Sequence, residues 1–446
     1  MILKEKLSAQ IPAWRERVKK LLAESGNVKV GEVTISQVYG GMRDVKSLVT
    51  DISYVDPEEG IRLRGFTIPE VLEKLPKLPG AEMPLVGGLY YLLLVGEVPT
   101  LQEALEVEEE WKRRSDVPTY VYETLKAMPP NAMPMTLFSQ AILAMQTTSI
   151  FTRKYDEGMK KDEQWIWMLE DSLNLTARLP AVAAYIYNLK HRGGQIPQPR
   201  SDLDYGANFA SMMGVDDPLY AELMRLYFII HSDHESGNVS AHATHMVGST
   251  LADIYYATSA GMNGLAGPLH GRANQEALSW LLNAYEKIGH VLSPEELRRY
   301  AWETLASGQV IPGYGHAVLR KTDPRFTAQL EFGRKHFPED PIFKLASMVY
   351  DVVPQVLVEQ GKAKNPWPNV DAISGALQQH FGVSDADEHG GYGFYTVLFG
   401  VSRALGVSAN AVWARALHQP LERPKSLTTR MLEDVAAKAG EKAKEA

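Results

Sequence analysis

The sequence predicts a mainly α protein with a small β-hairpin region near its N-terminus. Two observations carry that expectation. Apolar residues recur at intervals of three and four over most of the chain, the spacing of one helix face. Only two short segments alternate with the period of two expected of a strand. No fixed repeat is present, which argues against a solenoid. The 446 residues are too many for one simple core. At about 150 residues per domain the prior is about three units, and two large ones also fit.

The elements follow in chain order. The first 22 residues carry Glu5 and Glu16 and no long apolar run, so they read as an amphipathic surface helix and not a signal peptide. Residues 28–35 alternate and read as a strand. Residues 52–66 read as a hairpin turning at 56–60. The stretch 89–95 is the most apolar and stops at Gly96, well short of the roughly 20 residues a bilayer requires. Helical spacing then marks 134–148, 163–189, 218–231, 241–260, 274–285, 294–305, 342–359 and 395–405. The Lys/Glu/Ala-rich tail after Glu433 is expected to fray.

Composition removes several functions. The net charge is −8, from 46 basic and 54 acidic residues, which argues against a general nucleic-acid partner. There is no cysteine, so disulfides, thiolate metal sites, iron–sulfur clusters and a cysteine nucleophile are all excluded. The same absence suggests an intracellular protein.

Chemistry is concentrated in the loops. Residues 231–245 hold four histidines: His231, His234, His242 and His245. Two pairs at i, i+3 could converge on zinc or iron, but no metalloprotease spacing is present, and no metal is expected. The other reading is a polar network at a helix start, with Ser240 as its cap. His234 alone could donate to an anion. In 263–271, Pro268 suits a first helical turn, which places His270 near the helix's positive end and keeps its ring neutral. Such a ring can donate one hydrogen bond to a carbonyl oxygen, or simply pack or cap.

In 311–325, Gly313 and Gly315 allow close backbone approach, and His316 stands beside Arg320, Lys321 and Arg325. The pattern is neither a Walker A loop nor a dinucleotide fingerprint. It is an anion site or a solvated basic turn. Prolines 366 and 368 flank Trp367 and lead to Asp371, which is either a helix cap or a general base. Arg403 lies in an apolar helix and needs an anionic partner. Arg423 follows in the segment 420–426.

Seven motifs in this order resemble the citrate synthase family in its mitochondrial form, also found in some bacteria. They are Tyr39-Gly-Gly-Met-Arg43, Arg62-Leu-Arg-Gly-Phe66, His231-Ser-Asp-His-Glu through His242, and Asn263-Gly-Leu-Ala-Gly-Pro-Leu-His270-Gly271. The rest are Pro312-Gly-Tyr-Gly-His316 through Arg325, Asn365-Pro-Trp-Pro-Asn-Val-Asp371 and Pro420-Leu-Glu-Arg-Pro-Lys-Ser426. The resemblance covers nearly the whole chain. It implies a two-domain helical fold, with a large domain of 1–270 and 378–446 and a small mobile domain of 271–377 that closes over the substrates. It implies a homodimer with shared active sites, and neither a nucleic-acid nor a membrane partner.

The implied reaction joins acetyl-CoA to oxaloacetate and hydrolyses citryl-CoA to citrate and CoA. Coenzyme A enters as the substrate thioester, and no other cofactor is expected. Asp371 would be the base, with His270 donating to the thioester oxygen and His316 to the ketone. His234, Arg325 and Arg403 would hold oxaloacetate, with Arg423 supplied by the partner subunit. CoA would meet Arg43, Arg320, Lys362 and Lys364, Arg153 from the partner, and the backbone of Ile311, Gly313, Tyr314 and Gly315. Two departures bear on acyl preference. Ile373 stands where relatives usually carry His, and 384–393 is longer than in the animal enzymes. The alternatives are 2-methylcitrate synthase acting on propionyl-CoA, a metal-dependent hydrolase built on 231–245, and a non-catalytic helical scaffold. The expected location is the bacterial cytoplasm, or the mitochondrial matrix for a mature eukaryotic form.

Overall fold

The structure is a computed structural model that describes residues 1–289, 293–316, 318–384 and 393–445. Among them are twenty α-helices and one small antiparallel sheet. Strand β1, Ser53–Asp56, pairs with β2, Gly60–Leu63, and β2 with the two-residue β3, Phe66–Thr67. The expected hairpin is therefore present. Its turn is stapled by the Asp56 carboxylate, which accepts the amides of Glu58 and Glu59.

Two long helices form the centre. Phe394–Ala416 is buried along almost its whole length and packs against Gln164–His191. A helix apolar on all sides must lie inside the protein. Phe394–Ala416 and Pro341–Gln360 are both long and apolar enough to cross a membrane by length and composition alone, contrary to the sequence expectation; 94% of the apolar window of the first is buried in the protein. The helices Ala273–Ile288, Pro294–Ala306, Pro324–His336, Pro341–Gln360 and Asp371–His380 pack largely on one another.

Every segment marked by helical spacing falls on a helix, but Val86–Val95, Leu101–Arg114, Tyr205–Met212 and Pro324–His336 are among the helices it did not mark. Four expectations fail. Residues 28–34 are exposed and irregular, because no strand lies beside them; Thr34 then caps the short helix Ile35–Tyr39. The span 241–260 is two helices, Val239–Gly248 and Ile254–Leu265. Asp253 breaks it by accepting the amides of Tyr255 and Tyr256, and Leu251 takes a positive φ of 67°. The 395–405 helix runs on to Ala416. The tail is helical over Thr429–Glu445, as a run of strong helix formers permits. The loop at 384–393 falls almost entirely outside the described residues.

Candidate active site

The hairpin positions two of the site loops. Ser53 Oγ donates to Asp233 Oδ2 at 2.6 Å and accepts the Glu235 amide at 2.6 Å, which ties β1 to the four-histidine loop. On its other side the Arg320 amide donates to the Pro57 carbonyl at 2.8 Å. Gly60 packs so tightly on Pro324 that a Cβ there would lie 2.4 Å from the proline ring. The loops bearing His234 and His316 are thus held against one small sheet. Their imidazole centroids are 5.3 Å apart.

The four histidines of the first loop do not converge. His231 is buried and stacked on Tyr227, His242 pairs with Glu422 at 2.8 Å, and His234 faces His316. The helix cap is Asn238, not Ser240: its side chain accepts the Ala241 amide. Ser240 has another task. Its backbone amide donates to His270 Nε2 at 3.3 Å, and its hydroxyl lies 2.9 Å from the same atom. An amide can only donate, so Nε2 is an acceptor and the ring proton is assigned to Nδ1.

His316 is locked the opposite way. Its Nδ1 accepts the amides of Val318 and Leu319 at 3.0 and 2.9 Å, which assigns the proton to Nε2. Both rings are neutral. Burial, and then the nearby Arg403 charge, pushes His270 down to about 3; burial and Arg325 push His316 down to about 4. Burial also holds His234 well below the usual imidazole range, with Arg325, His316 and Arg403 adding to it.

The neutrality expected of His270 is therefore present, but for a different reason. Its own helix starts only at Ala273, so Pro268 lies in the preceding turn and not in a first helical turn. The helix end that meets the ring is that of Val239–Gly248.

Asp371 is the first residue of Asp371–His380. The cap position is Val370, and the Asp371 amide donates to Asn369 Oδ1 at 3.0 Å. Burial lifts the carboxyl to about 7, against the opposing pull of Arg325 and Arg403. Asp371 Oδ1 is enclosed and has no hydrogen-bond partner among the described residues. A carboxylate in this state can hold a proton near neutral pH.

Two arginines complete the centre. Arg325 is buried, and its guanidinium grips Asp323 through Nε at 3.0 Å and Nη2 at 2.7 Å. Arg403 is also buried. Its Nη1 donates to Asn238 Oδ1 and Ser240 Oγ, both at 3.0 Å, and burial pulls it down to about 10 although Asp233 opposes this. Asp233 is the anionic neighbour that an arginine in an apolar helix required. Ser240, Asp233 and Asp323 were not singled out as site residues. Their only sequence signal is their place inside the histidine and arginine motifs.

The other predicted residues divide between the 311–320 loop, which borders the centre, and exposed positions. Ile311 is buried. Gly313 and Gly315 are paired with the 367–369 segment: the Asn369 amide donates to the Gly313 carbonyl at 2.9 Å, and the Gly315 amide to the Trp367 carbonyl at 3.0 Å. Tyr314 bridges to Pro368. Arg320 is exposed and lies close enough to His316 to act on it electrostatically. Arg43, Arg153, Lys362, Lys364 and Arg423 are exposed, and none interacts with His270, His316 or Asp371 among the described residues. Ile373 is fully buried.

Fold and site together have the make-up of an enzyme: a helical protein that gathers one carboxyl lifted by burial, two neutral imidazoles and two buried arginines. The citrate synthase family, by its C-terminal domain model, matches residues 41–425. The mitochondrial citrate synthase of Xiphias gladius is 53% identical over 440 residues, 98% of this chain and 92% of that protein. That of Kajikia audax is 52% identical with the same coverage. Among solved structures, the citrate synthase of Pyrobaculum aerophilum aligns with a TM-score of 0.73 and 27% identity over 90% of this chain and 95% of that one. The citrate synthase of Thermoplasma acidophilum, solved in a ternary complex with carboxymethyl coenzyme A and oxaloacetate, has a TM-score of 0.73 over 89% and 97%; at 22% identity it speaks for the fold alone.

The chain belongs to the citrate synthase family. It is accordingly an acyltransferase with citrate synthase activity, and the relatives' names support this over the methylcitrate alternative.

Proposed function

We propose that the chain condenses acetyl-CoA with oxaloacetate and hydrolyses citryl-CoA, as a step of the tricarboxylic acid cycle, through Asp371, His270 and His316. The observation that carries this reading is a carboxyl lifted to about 7 alongside two imidazoles neutral in opposite tautomers. Asp371 removes a proton from the thioester methyl. His270 Nδ1–H donates to the thioester oxygen, where the enolate charge develops. His316 Nε2–H donates to the ketone oxygen, and the enolate carbon attacks the polarised ketone carbon. Water then attacks the citryl thioester and CoA leaves as the thiol.

Neutrality is what makes the two rings useful: each has one proton to share and none to lose first. Arg325, Arg403 and His234 hold the oxaloacetate carboxylates, with Arg423 reaching in from a second subunit. Arg43, Arg320, Lys362 and Lys364 meet CoA with Arg153 of that subunit, and the Ile311–Gly315 backbone borders the adenine. No metal or other cofactor takes part; full activity after exhaustive chelation is the expected result.

The assembly is a homodimer. Its support is a set of exposed apolar side chains, Leu143, Met246 and Tyr256, on three helices that pack together: Pro134–Met145, Val239–Gly248 and Ile254–Leu265. A mobile unit at 271–377 fits the mutual packing of the helices there, although Asp371–His380 runs past 377 and moves any hinge toward its C-terminal end. Closing that unit keeps water from the enolate. The mitochondrial names of the relatives support the matrix as its location and lend none to bacterial cytoplasm.

The deciding experiment compares kcat/KM for acetyl-CoA and propionyl-CoA. One methylene is worth about 1–3 kcal/mol. A preference for acetyl-CoA is expected, and a clear preference for propionyl-CoA would overturn the reading.

A further inference from the structure

Two buried side chains beside the base, and one oxygen of the base itself, have no hydrogen-bond partner among the described residues. Asn274 is fully buried, and neither its Oδ1 nor its Nδ2 is hydrogen-bonded. Ser374 is fully buried with an unbonded hydroxyl. Asp371 Oδ1 is the third. Each buried, unpaired group is costly, so three close together need an explanation.

Their placement supplies one. Asp371, Ser374 and Gly375 stand at i, i+3 and i+4 of one helix and therefore share a face. That face meets the helix Ala273–Ile288 at Asn274. Gly375 has no side chain there, and a Cβ in its place would lie 3.2 Å from Asn274 Oδ1 and 2.9 Å from Leu278 Cβ. Asn274 is four residues from His270, so it lies between the two catalytic elements.

We propose that Asn274 and Ser374 are positioning residues for the base. In the substrate-loaded enzyme, Asn274 Nδ2–H donates to Ser374 Oγ, and Ser374 Oγ–H donates to Asp371 Oδ1. This two-bond chain gives a partner to three of the unpaired atoms and fixes the direction of the carboxylate's other oxygen. It favours the charged carboxylate, since both bonds run toward it.

The inference rests on Asp371 being the base, and the test separates the two claims. Ser374→Ala, Asn274→Leu and their double variant are assayed for kcat across pH, for KM of oxaloacetate and for thermal stability, with Ser374→Thr as the conservative rescue and Asp371→Ala as reference. Ser374→Ala is expected to lower kcat about tenfold, the loss of one hydrogen bond to a charged group, and Asn274→Leu somewhat less, since it frees the Ser374 hydroxyl that makes that bond. The acid limb of the pH profile should move to higher pH, and KM for oxaloacetate should stay within about twofold. The double variant should be little worse than Ser374→Ala, because the bonds act in series. Ser374→Thr should restore kcat.

The proposal fails if Ser374→Ala leaves kcat within about twofold and the acid limb unmoved while Asp371→Ala is inactive. If Asp371→Ala itself turns over near normally, it is the base assignment that fails. Ser374→Ala removes a single oxygen, so it decides the matter even if Asn274→Leu does not fold.

Discussion

At the residue scale, the site depends on which nitrogen of each imidazole carries its proton. The Ser240 amide sets this for His270, and the amides of Val318 and Leu319 set it for His316. None of those donors can be mutated away, because they are backbone. Asp371→Ala should lower kcat by several orders of magnitude while calorimetry still detects oxaloacetate binding; near-normal turnover would refute the role. The raised carboxyl also has a pH consequence. Activity should fall as pH drops through about 7, because the protonated form cannot act as base.

The stability consequence runs in the opposite direction. A pKa raised in the folded state stabilises the protein fully below the unfolded value near 3.8, and that contribution is lost as pH rises through about 7. Asp371→Asn should therefore raise the melting temperature at pH 8 and lose that advantage as pH falls toward 4; a constant difference across pH would contradict it. His270, His316 and Asp371 were all legible as candidates from loop motifs. The neutrality of His270 was expected too, although on the ground of its own helix end; the states of His316 and Asp371 were not, since burial sets them and burial is a property of the folded chain.

At the element scale, the loop 311–316 holds its shape by pairing with 367–369 and by closing onto the start of Asp371–His380. Gly313 has φ +78°, and a Cβ would lie 2.6 Å from Ala372 Cα. Both facts forbid a side chain. Gly313→Ala should cost more than about 1 kcal/mol in a denaturant titration and displace His316 relative to Asp371, with kcat falling more than stability alone explains. A variant of unchanged stability and turnover would count against this docking. The hairpin was legible because its turn residues are local signals. The break at Ser249–Asp253 was not, because apolar spacing continues across it and only the Asp253 cap reveals the stop. The false strand at 28–35 fails for the converse reason: alternation stabilises nothing without a neighbouring strand.

At the scale of the whole molecule, the proposed mobile unit meets the rest through the Arg320–Pro57 backbone bond, the packing of Gly60 on Pro324 and several surface ion pairs. Glu82 meets Lys335 and His336, each at 2.8 Å, and Glu58 meets Lys321 at 3.1 Å. Such pairs are individually weak, typically below about 1 kcal/mol, so they can make and break as the unit moves. The proposed dimer face is a stronger commitment. Met246→Asp with Leu143→Asp should yield a monomer by sedimentation, with KM for oxaloacetate raised because Arg423 comes from the other subunit. A variant that stays dimeric, or a monomer with unchanged kinetics, would remove that face from consideration.

The sequence by itself determined the helical class, the hairpin and the motif set that places this chain in its family, because helix periodicity, turn chemistry and short-range spacing are local properties of the chain. Tertiary structure alone decided that the four histidines of 231–245 go separate ways, that Ser240 serves His270 and Arg403 although the sequence offered it as a cap, and that Asp371 is lifted to about 7. The physical reason is that a protonation state or tautomer depends on desolvation and on the nearest donor or charge. Ser240 and Arg403 lie 30 residues or more from the His270 and Asp371 groups they act on, and even Arg325, nine residues from His316, reaches Asp371 only through the fold.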